Sequence, residues 1–343
     1  MSEHIHIRRE GPAGRITLTR PKALNALSYE MAMAVDAALN DWAGDPGVAF
    51  VMMDAEGEKA FCAGGDIQTL YDKGRAGDFD YGRTFWRDEY RMNARLAEYR
   101  KPIVAFLQGF VMGGGVGLGC HASHRIVGDS TRIAMPECGI GLVPDVGGSL
   151  LLARAPGRLG EYLGLTTDRM GGADAIRAGF ADTYIPEEGW EALKTALVET
   201  GDLSAIQTAA IIAPEVALAE RQDRIDAIFG QPDLPTIVAA LEADGSDFAL
   251  SALKALRRNS PISMAATLEL LAELRRSAAG IREALRLEYR FTARAMEHGD
   301  FLEGIRAQII DRDRNPQWKH RLESLRPEAE AMLAPLGQDE LAF

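Results

Sequence analysis

Apolar and polar residues alternate in different ways along the chain, and each pattern predicts a different element. Residues Ile5 to Arg9 and Arg15 to Thr19 alternate on either side of Gly11-Pro12-Ala13-Gly14, which predicts a β-hairpin. Two continuous apolar runs, Val48 to Met53 and Ile103 to Leu107, are typical of strands that are buried on both faces. The first part of the chain therefore contains strands that belong to a covered sheet.

Helical periodicity appears between these strands and then dominates the second half. Ser28 is a suitable N-cap for a helix that runs towards Trp42. Strands that alternate with helices indicate an α/β fold with a largely parallel sheet. We expect an α/β core over residues 1–200 and a helical region over residues 201–343. Three amphipathic segments carry the helical prediction: Ala249 to Arg257, Ile262 to Arg275 and Ile281 to Met296.

Composition and charge exclude several classes of protein. The chain has 343 residues, of which 47% are hydrophobic and 26% charged, as in a packed globular protein. A net charge of −12 argues against nucleic acid or an anionic membrane surface as a partner. Three cysteines without a CxxC pair argue against disulfides or a zinc site. With no secretory signal at the N-terminus, we expect a cytoplasmic protein that needs no metal.

Glycine is concentrated where chemistry is most plausible. Thirteen of the 35 glycines lie between Gly109 and Gly160. Gly64-Gly65 and the cluster from Gly113 to Gly117 each follow a predicted strand, so their backbone N–H groups could bind a developing oxyanion. The alternative is that both are ordinary tight turns. The second cluster does not match the G-x-G-x-x-G spacing of a dinucleotide-binding loop.

Three acidic residues lie in apolar surroundings. Glu137 follows a proline, and Asp145 lies eight residues later between Pro144 and Val146. Glu89 falls on the apolar face of a predicted helix. Acids in such positions are either partnered or used by a functional site. Asp145 could instead be the N-cap of the helix that follows it.

These motifs resemble the enoyl-CoA hydratase/isomerase (crotonase) superfamily, and within it the branch that hydrolyses a 3-hydroxyacyl-CoA thioester in valine catabolism. The resemblance implies a crotonase-like (ClpP/crotonase) β-β-α superhelical core with a helical C-terminal region. It spans nearly the whole chain. The matching segments are Ile16 to Leu27, Lys59 to Ile67, Met112 to Gly117, Met135 to Glu137, Pro144 to Gly148, Glu288 to Arg290, Phe301 to Ala307 and Asp311 to Trp318.

The resemblance also implies roles for individual residues. The N–H groups of Gly65 and Gly114 would hold the thioester oxygen, and Glu137 would act as nucleophile or general base. Asp145 would bind the 3-hydroxyl group of the substrate. Coenzyme A is then part of the substrate, and no separate cofactor is expected. Further substrate-binding residues would be Glu89, Gly64, Asp66, Ile67, Gly113 and Lys22.

One departure from the family pattern separates the possible reactions. Hydratases of the superfamily use two glutamates, and the second falls three residues after Gly114, where this chain has Gly117. This favours hydrolysis over hydration. A hydratase or isomerase on the same fold remains an alternative, as does a non-catalytic protein that binds coenzyme A. Relatives in the superfamily usually trimerise, so a homo-oligomer is possible.

Overall fold

The structure is a computed structural model that describes residues 3–214, 216–322 and 325–343. The chain forms two compact units that are interleaved along the sequence. The first unit comprises Met1–Asp66, Arg91–Ala134 and Arg169–Ala219, and the second comprises Ile67–Tyr90, Met135–Asp168 and Glu220–Phe343.

All nine strands that the structure describes belong to the first unit. Six form one sheet in the order β1-β2-β3-β5-β7-β9, and three form a second sheet in the order β4-β6-β8. Only β1 and β2 pair antiparallel; the other pairs are parallel. The bounds are Ile5–Glu10 (β1), Ala13–Leu18 (β2), Phe50–Ala55 (β3), Ala60–Cys62 (β4), Ile103–Phe106 (β5), Phe110–Met112 (β6), His124–Val127 (β7), Arg132–Ala134 (β8) and Thr183–Tyr184 (β9).

Helices occur in both units, and they are the only elements described in the second. They are Tyr29–Ala43 (α1), Ile67–Arg75 (α2), Phe79–Ala97 (α3), Gly114–Gly119 (α4), Gly148–Arg154 (α5), Leu159–Thr166 (α6), Gly172–Arg177 (α7), Trp190–Thr200 (α8), Ser204–Ala209 (α9), Ala217–Phe229 (α10), Leu234–Asp244 (α11), Asp247–Arg258 (α12), Pro261–Ser277 (α13), Ile281–Ala295 (α14), Phe301–Ile305 (α15) and Arg326–Met332 (α16).

The predicted hairpin, the two buried strands and the first helix are confirmed. The hairpin turns at Gly11-Pro12, with Glu10 opposite Ala13. The side chain of Ser28 accepts a hydrogen bond from the N–H of Met31 and so caps α1. The α/β class is also confirmed, because helices connect the parallel strands up to Tyr184 and every element described after Tyr184 is helical.

The core of the first unit explains why the apolar runs are continuous. Phe50 and Met52 on β3 and Phe106 on β5 are almost fully buried, and they pack with Trp190 and Leu193 of α8. Since both faces of these strands are covered, no polar alternation is needed.

The compact units do not follow the expected boundary at residue 200. The reason is that helices from the middle of the chain pack against C-terminal helices within the second unit. Helices α5 and α6 both contact α13, and α2 contacts α15. No helix among the described residues has the length and apolar character needed to cross a membrane.

Candidate active site

The two glycine clusters follow neighbouring strands of the three-stranded sheet. β4 and β6 pair in parallel, with Cys62 opposite Val111. Because parallel neighbours run in the same direction, the segments that follow them, Gly64-Gly65 and Gly113-Gly114, begin at the same edge. The sequence did not predict this sheet, and its strands are what bring the two clusters together.

Close backbone contact between these segments requires glycine. A Cβ atom on Gly115 would lie 2.1 Å from the carbonyl oxygen of Cys62, which is far inside van der Waals contact. Gly64 has a φ of 119°, a conformation that other residues rarely adopt. The glycine clusters are therefore more than tight turns, since they allow two loops to touch through their backbones.

The backbone N–H groups of Gly65 and Gly114 are available as donors. In the bridge between Leu27 and Gly65, the N–H of Leu27 donates to Gly64 O and the N–H of Asp66 donates to Leu27 O, both at 2.8 Å. These two hydrogen bonds involve the residues on either side of Gly65, so the N–H of Gly65 itself points away from Leu27. Gly114 is the first residue of α4, so its N–H precedes the intrahelical hydrogen bonds. Within the described residues, neither N–H donates to a protein acceptor.

The other candidates near these loops have different surroundings. Asp66 forms an ion pair with Arg20 at 3.1 Å. Lys22 lies on a short 3-10 turn, and its side chain is exposed. Ile67 is the first residue of α2 and belongs to the second unit.

The three predicted acids belong to the second unit and come from different elements. Glu89 lies on α3, Glu137 begins the 3-10 turn Glu137–Ile140, and Asp145 lies in the loop before α5. Their exposures are only 3%, 4% and 5%. Burial of an acid without a basic partner is costly, so a cluster of this kind indicates a functional site.

Asp145 is close enough to both glutamates for its charge to affect them. Burial, and then the negative charge of Asp145, raise the pKa of Glu89 and of Glu137 well above the usual range. Burial also raises the pKa of Asp145, to about 7. Among the described residues, Oε1 of Glu89 and Oε2 of Glu137 are buried and have no hydrogen-bond partner. These two oxygens are positioned to bind a ligand or a water molecule.

The alternative role of Asp145 as a helix N-cap is wrong. Gly147 is the N-cap of α5, and the N-cap residue forms no side-chain capping hydrogen bond. The carboxyl of Asp145 instead accepts a hydrogen bond from the hydroxyl of Tyr90, at 2.7 Å. Asp145 is therefore held by a neighbouring helix rather than used to start one.

Sequence reasoning missed a fourth buried acid, Glu288. It lies on α14 with no exposed surface. Its carboxyl accepts hydrogen bonds from the N–H groups of Gly147 and Ser149 and from the Ser149 hydroxyl. Burial raises its pKa to about 8. The test that found Glu89 would have found Glu288 too, because it shares a helix face with Ala284, Phe291, Thr292 and Ala295.

Residues of the C-terminal region hold the segment that begins at Glu137. The N–H of Ser260 donates to the carbonyl oxygen of Cys138 at 2.8 Å. A Cβ atom on Gly304 would lie 2.2 Å from the carbonyl oxygen of Ile140. The Phe301 to Ala307 motif therefore packs directly on the turn that carries the acid.

Comparison with known proteins defines the class. A sequence model of the family described as Enoyl-CoA hydratase/isomerase matches residues 13–332. The chain therefore belongs to the enoyl-CoA hydratase/isomerase family, in agreement with the fold and with the paired glycine loops.

Two relatives carry the same enzyme name and confirm the more specific resemblance. The mitochondrial 3-hydroxyisobutyryl-CoA hydrolase of Gallus gallus is 38% identical, over 98% of this chain and 90% of its own length. The enzyme of the same name from Homo sapiens is 37% identical, over 93% of this chain and 84% of its own length.

Two solved structures have nearly the same fold but different names. A protein described as an enoyl-CoA hydratase from Rhodobacter sphaeroides 2.4.1 is 58% identical with a TM-score of 0.96, and covers 99% of this chain and 100% of its own. One described as a carnitinyl-CoA dehydratase from Mycobacterium thermoresistibile is 39% identical with a TM-score of 0.94, and covers 100% of this chain and 99% of its own.

Proposed function

We propose that this protein hydrolyses acyl-CoA thioesters, with 3-hydroxyisobutyryl-CoA as its substrate and 3-hydroxyisobutyrate and coenzyme A as products. The main support for this proposal is the set of buried acids, Glu89, Glu137 and Asp145. In addition, Gly117 occupies the position of the second hydratase glutamate. The near full-length similarity to curated hydrolases supports the same assignment. This reaction belongs to the degradation of valine.

The proposed mechanism uses Glu137 as general base. Glu137 takes a proton from water while the water oxygen bonds to the thioester carbonyl carbon. The N–H groups of Gly65 and Gly114 stabilise the negative charge that develops on the carbonyl oxygen. The tetrahedral intermediate then collapses, the carbon–sulfur bond breaks, and the departing thiolate takes the proton from Glu137. A raised pKa makes the Glu137 carboxylate a stronger base towards water.

A covalent version of the mechanism differs in its first step. Glu137 itself bonds to the carbonyl carbon and expels the thiolate, which forms a mixed anhydride that water then hydrolyses. Hydroxylamine added during turnover would convert such an anhydride into a hydroxamate at Glu137. Mass spectrometry of the labelled peptide, with single turnover in ¹⁸O water as a second measurement, distinguishes the two routes. Unmodified and unlabelled Glu137 favours the general-base route.

Substrate choice follows from Asp145 and Glu89. A buried carboxyl group that binds the substrate 3-hydroxyl is left without a partner when the hydroxyl is absent, so an acyl-CoA without it reacts more slowly. We propose that Lys22 contributes to the binding of the coenzyme, whose phosphates need cations near an otherwise acidic protein. Gly64, Gly113, Asp66 and Ile67 complete the proposed substrate contacts.

A thiol-release assay with 3-hydroxyisobutyryl-CoA tests the proposal. It is paired with an absorbance assay for hydration of crotonyl-CoA, because the two solved structures are described as a hydratase and a dehydratase. Thiol release without hydration supports the hydrolase. Hydration without thiol release would show that the hydratase alternative is correct, and tight binding of coenzyme A with no turnover would show a non-catalytic protein.

The remaining properties are part of the proposal. We propose that no cofactor is needed beyond the coenzyme A of the substrate, so that activity survives treatment with EDTA. The three cysteines are buried and form no disulfide, which is compatible with a reducing compartment such as the cytoplasm. The curated relatives are named mitochondrial, and cell fractionation decides between the two. Light scattering tests for a homo-oligomer.

A further inference from the structure

The loop that carries Asp145 is held by two residues outside the predicted acid set. Tyr90 on α3 donates its hydroxyl proton to Oδ2 of Asp145 at 2.7 Å. Glu288 on α14 accepts hydrogen bonds from the N–H of Gly147 at 2.8 Å, from the N–H of Ser149 at 3.2 Å, and from the Ser149 hydroxyl. Tyr90 thus contacts the carboxyl group, and Glu288 contacts the backbone just after it.

The loop needs this support because its backbone is strained. Val146 has a φ of 52° and Gly147 a φ of 79°. The left-handed region is unfavourable for a β-branched residue such as valine, and such a conformation persists only where its surroundings impose it. The three hydrogen bonds to Glu288 hold the residues that immediately follow Val146. The strained position is therefore the residue next to the buried carboxyl group.

Tyr90 is itself fixed in one orientation. It has no exposed surface, and its ring packs edge-on against Tyr289 with centroids 6.3 Å apart. Oγ1 of Thr292, one helical turn after Glu288, lies 3.5 Å from its hydroxyl oxygen. Tyr90 has one hydroxyl proton and donates it to Oδ2, so this buried tyrosine restrains the position of the Asp145 carboxyl group.

We propose that Tyr90 and Glu288 are positioning residues that set selectivity for a 3-hydroxyacyl group, by holding the Asp145 carboxyl group in the orientation that accepts the substrate hydroxyl. The inference deepens the proposed function and rests on it. Tyr90 acts on the carboxyl group directly, whereas Glu288 acts through the loop backbone.

The charges around Asp145 give this arrangement a second signature. The groups that interact with it are Glu89 and Tyr90 from α3, Glu137 from its 3-10 turn, and Glu288 from α14. Burial raises the pKa of Asp145, and the hydrogen bond from Tyr90 lowers it. Loss of that hydrogen bond therefore raises the pKa of Asp145 further. If ionised Asp145 binds the hydroxyl, the acidic limb of the pH profile moves to higher pH.

The first experiment compares Tyr90→Phe with wild-type enzyme on 3-hydroxyisobutyryl-CoA and on isobutyryl-CoA. We expect kcat/KM to fall about tenfold for the hydroxylated substrate. For isobutyryl-CoA we expect a change of less than about twofold. The acidic limb of the profile shifts upward only for the hydroxylated substrate. Equal losses on both substrates would overturn the inference.

Tyr289→Phe is the matched control. The hydroxyl of Tyr289 donates to the carbonyl oxygen of Arg83 at 3.2 Å, and its ring packs against Tyr90. The control therefore loses a tyrosine hydroxyl from the same packed region without losing a bond to Asp145. We expect its substrate ratio to equal that of the wild type. A ratio that changes as much as in Tyr90→Phe would show a general packing effect and overturn the inference.

A second variant and a binding measurement separate this inference from the proposed function. Glu288→Gln tests the loop contact in a chain that keeps Tyr90, and we expect the same selective loss. Calorimetry with non-hydrolysable thioether analogues, with and without the 3-hydroxyl, measures recognition without turnover. Wild-type binding that prefers the hydroxylated analogue, with this preference lost in Tyr90→Phe, supports the inference. It does so even when no thiol is released, because absence of thiol release would refute only the hydrolase. No hydroxyl preference in wild-type binding would overturn the inference.

Discussion

The two units of the molecule carry their candidate chemistry in different parts of the polypeptide. In the first unit it lies in the backbone, as the N–H groups of Gly65 and Gly114, and glycine is needed so that two loops can approach. In the second unit it lies in buried carboxyl groups from α3, α14, a 3-10 turn and a loop. The positions of the backbone donors are set by loop geometry, whereas the pKa values of the acids are set by burial and by the charges of neighbouring acids. We therefore expect substitutions in the two units to impair the protein in different ways.

The largest expected effect is loss of turnover in Glu137→Gln. General base catalysis contributes about 10²–10⁴-fold, so we expect kcat for thiol release to fall about 10³-fold. Folding should be preserved, because the change removes a buried acid whose Oε2 has no partner among the described residues.

Glu161→Gln is the control for that variant. Glu161 is equally buried, at 4%, but it forms ion pairs with Arg158 and Arg275. We expect a lower melting temperature and nearly normal kcat, the opposite of the result for Glu137→Gln. Wild-type turnover by Glu137→Gln would contradict the assigned role.

The next effect tests the backbone side of the comparison. Gly115→Ala places a Cβ atom 2.1 Å from Cys62 O, so we expect a loss of stability of about 1–3 kcal/mol. Displacement of the neighbouring N–H donors should lower kcat by about 10²–10³-fold. In Gly65→Ala the added Cβ meets no heavy atom within 4 Å, and we expect stability to change by less than about 0.5 kcal/mol. Chemical denaturation of both variants measures the difference, and equal stability losses would argue against close loop contact.

A third prediction concerns pH and the acid cluster. Burial raises the pKa of Asp145 to about 7 and that of Glu288 to about 8, from ordinary values near 4. Between about pH 4 and pH 8 the unfolded chain therefore releases protons that the folded chain retains. The contribution of these two groups to the free energy of unfolding is therefore fully present below this window, falls through it, and levels off above it.

Glu288→Gln removes one of these groups and should flatten that decline. Within the window, the slope of the free energy of unfolding against pH should become less steep by up to about 1.4 kcal/mol per pH unit. Urea unfolding between pH 5 and pH 8 measures it, with Glu188→Gln, a change at an exposed acid, as control. Parallel curves for wild type and Glu288→Gln would show that Glu288 does not retain its proton.

The smallest expected effect is that of a substitution at Lys22, on the protein surface. Lys22 has an exposed side chain, and exposed ion pairs contribute about 0.2–1 kcal/mol. We therefore expect Lys22→Ala to raise KM about two- to fivefold without changing kcat, and high salt to abolish the difference. Lys101→Ala is a useful contrast, since Lys101 donates to the carbonyl oxygens of Trp42 and Asp45 and should affect stability instead. An unchanged KM at low salt would remove Lys22 from the proposed contacts.

Local patterns in the sequence predicted a large part of this protein. The continuous apolar runs identified β3 and β5, because strands covered on both faces have no polar side. Ser28 identified the start of α1, since an N-cap acts on the three residues that follow it. Glu89 was recognised as a buried acid from its place on an apolar helix face. Each of these signals is contained within about one element.

Tertiary structure decided how those elements meet. Strands β4 and β6 have three residues each, too few for an apolar period to show, yet their parallel pairing brings the glycine loops together. Asp145 is held by Tyr90, 55 positions away, and its loop by Glu288, more than 130 positions away. Contacts over such separations depend on how helices pack, which no local pattern encodes. The sequence by itself determined the fold class and most of the candidate site residues, and packing alone decided which acids share one buried cluster and what holds them.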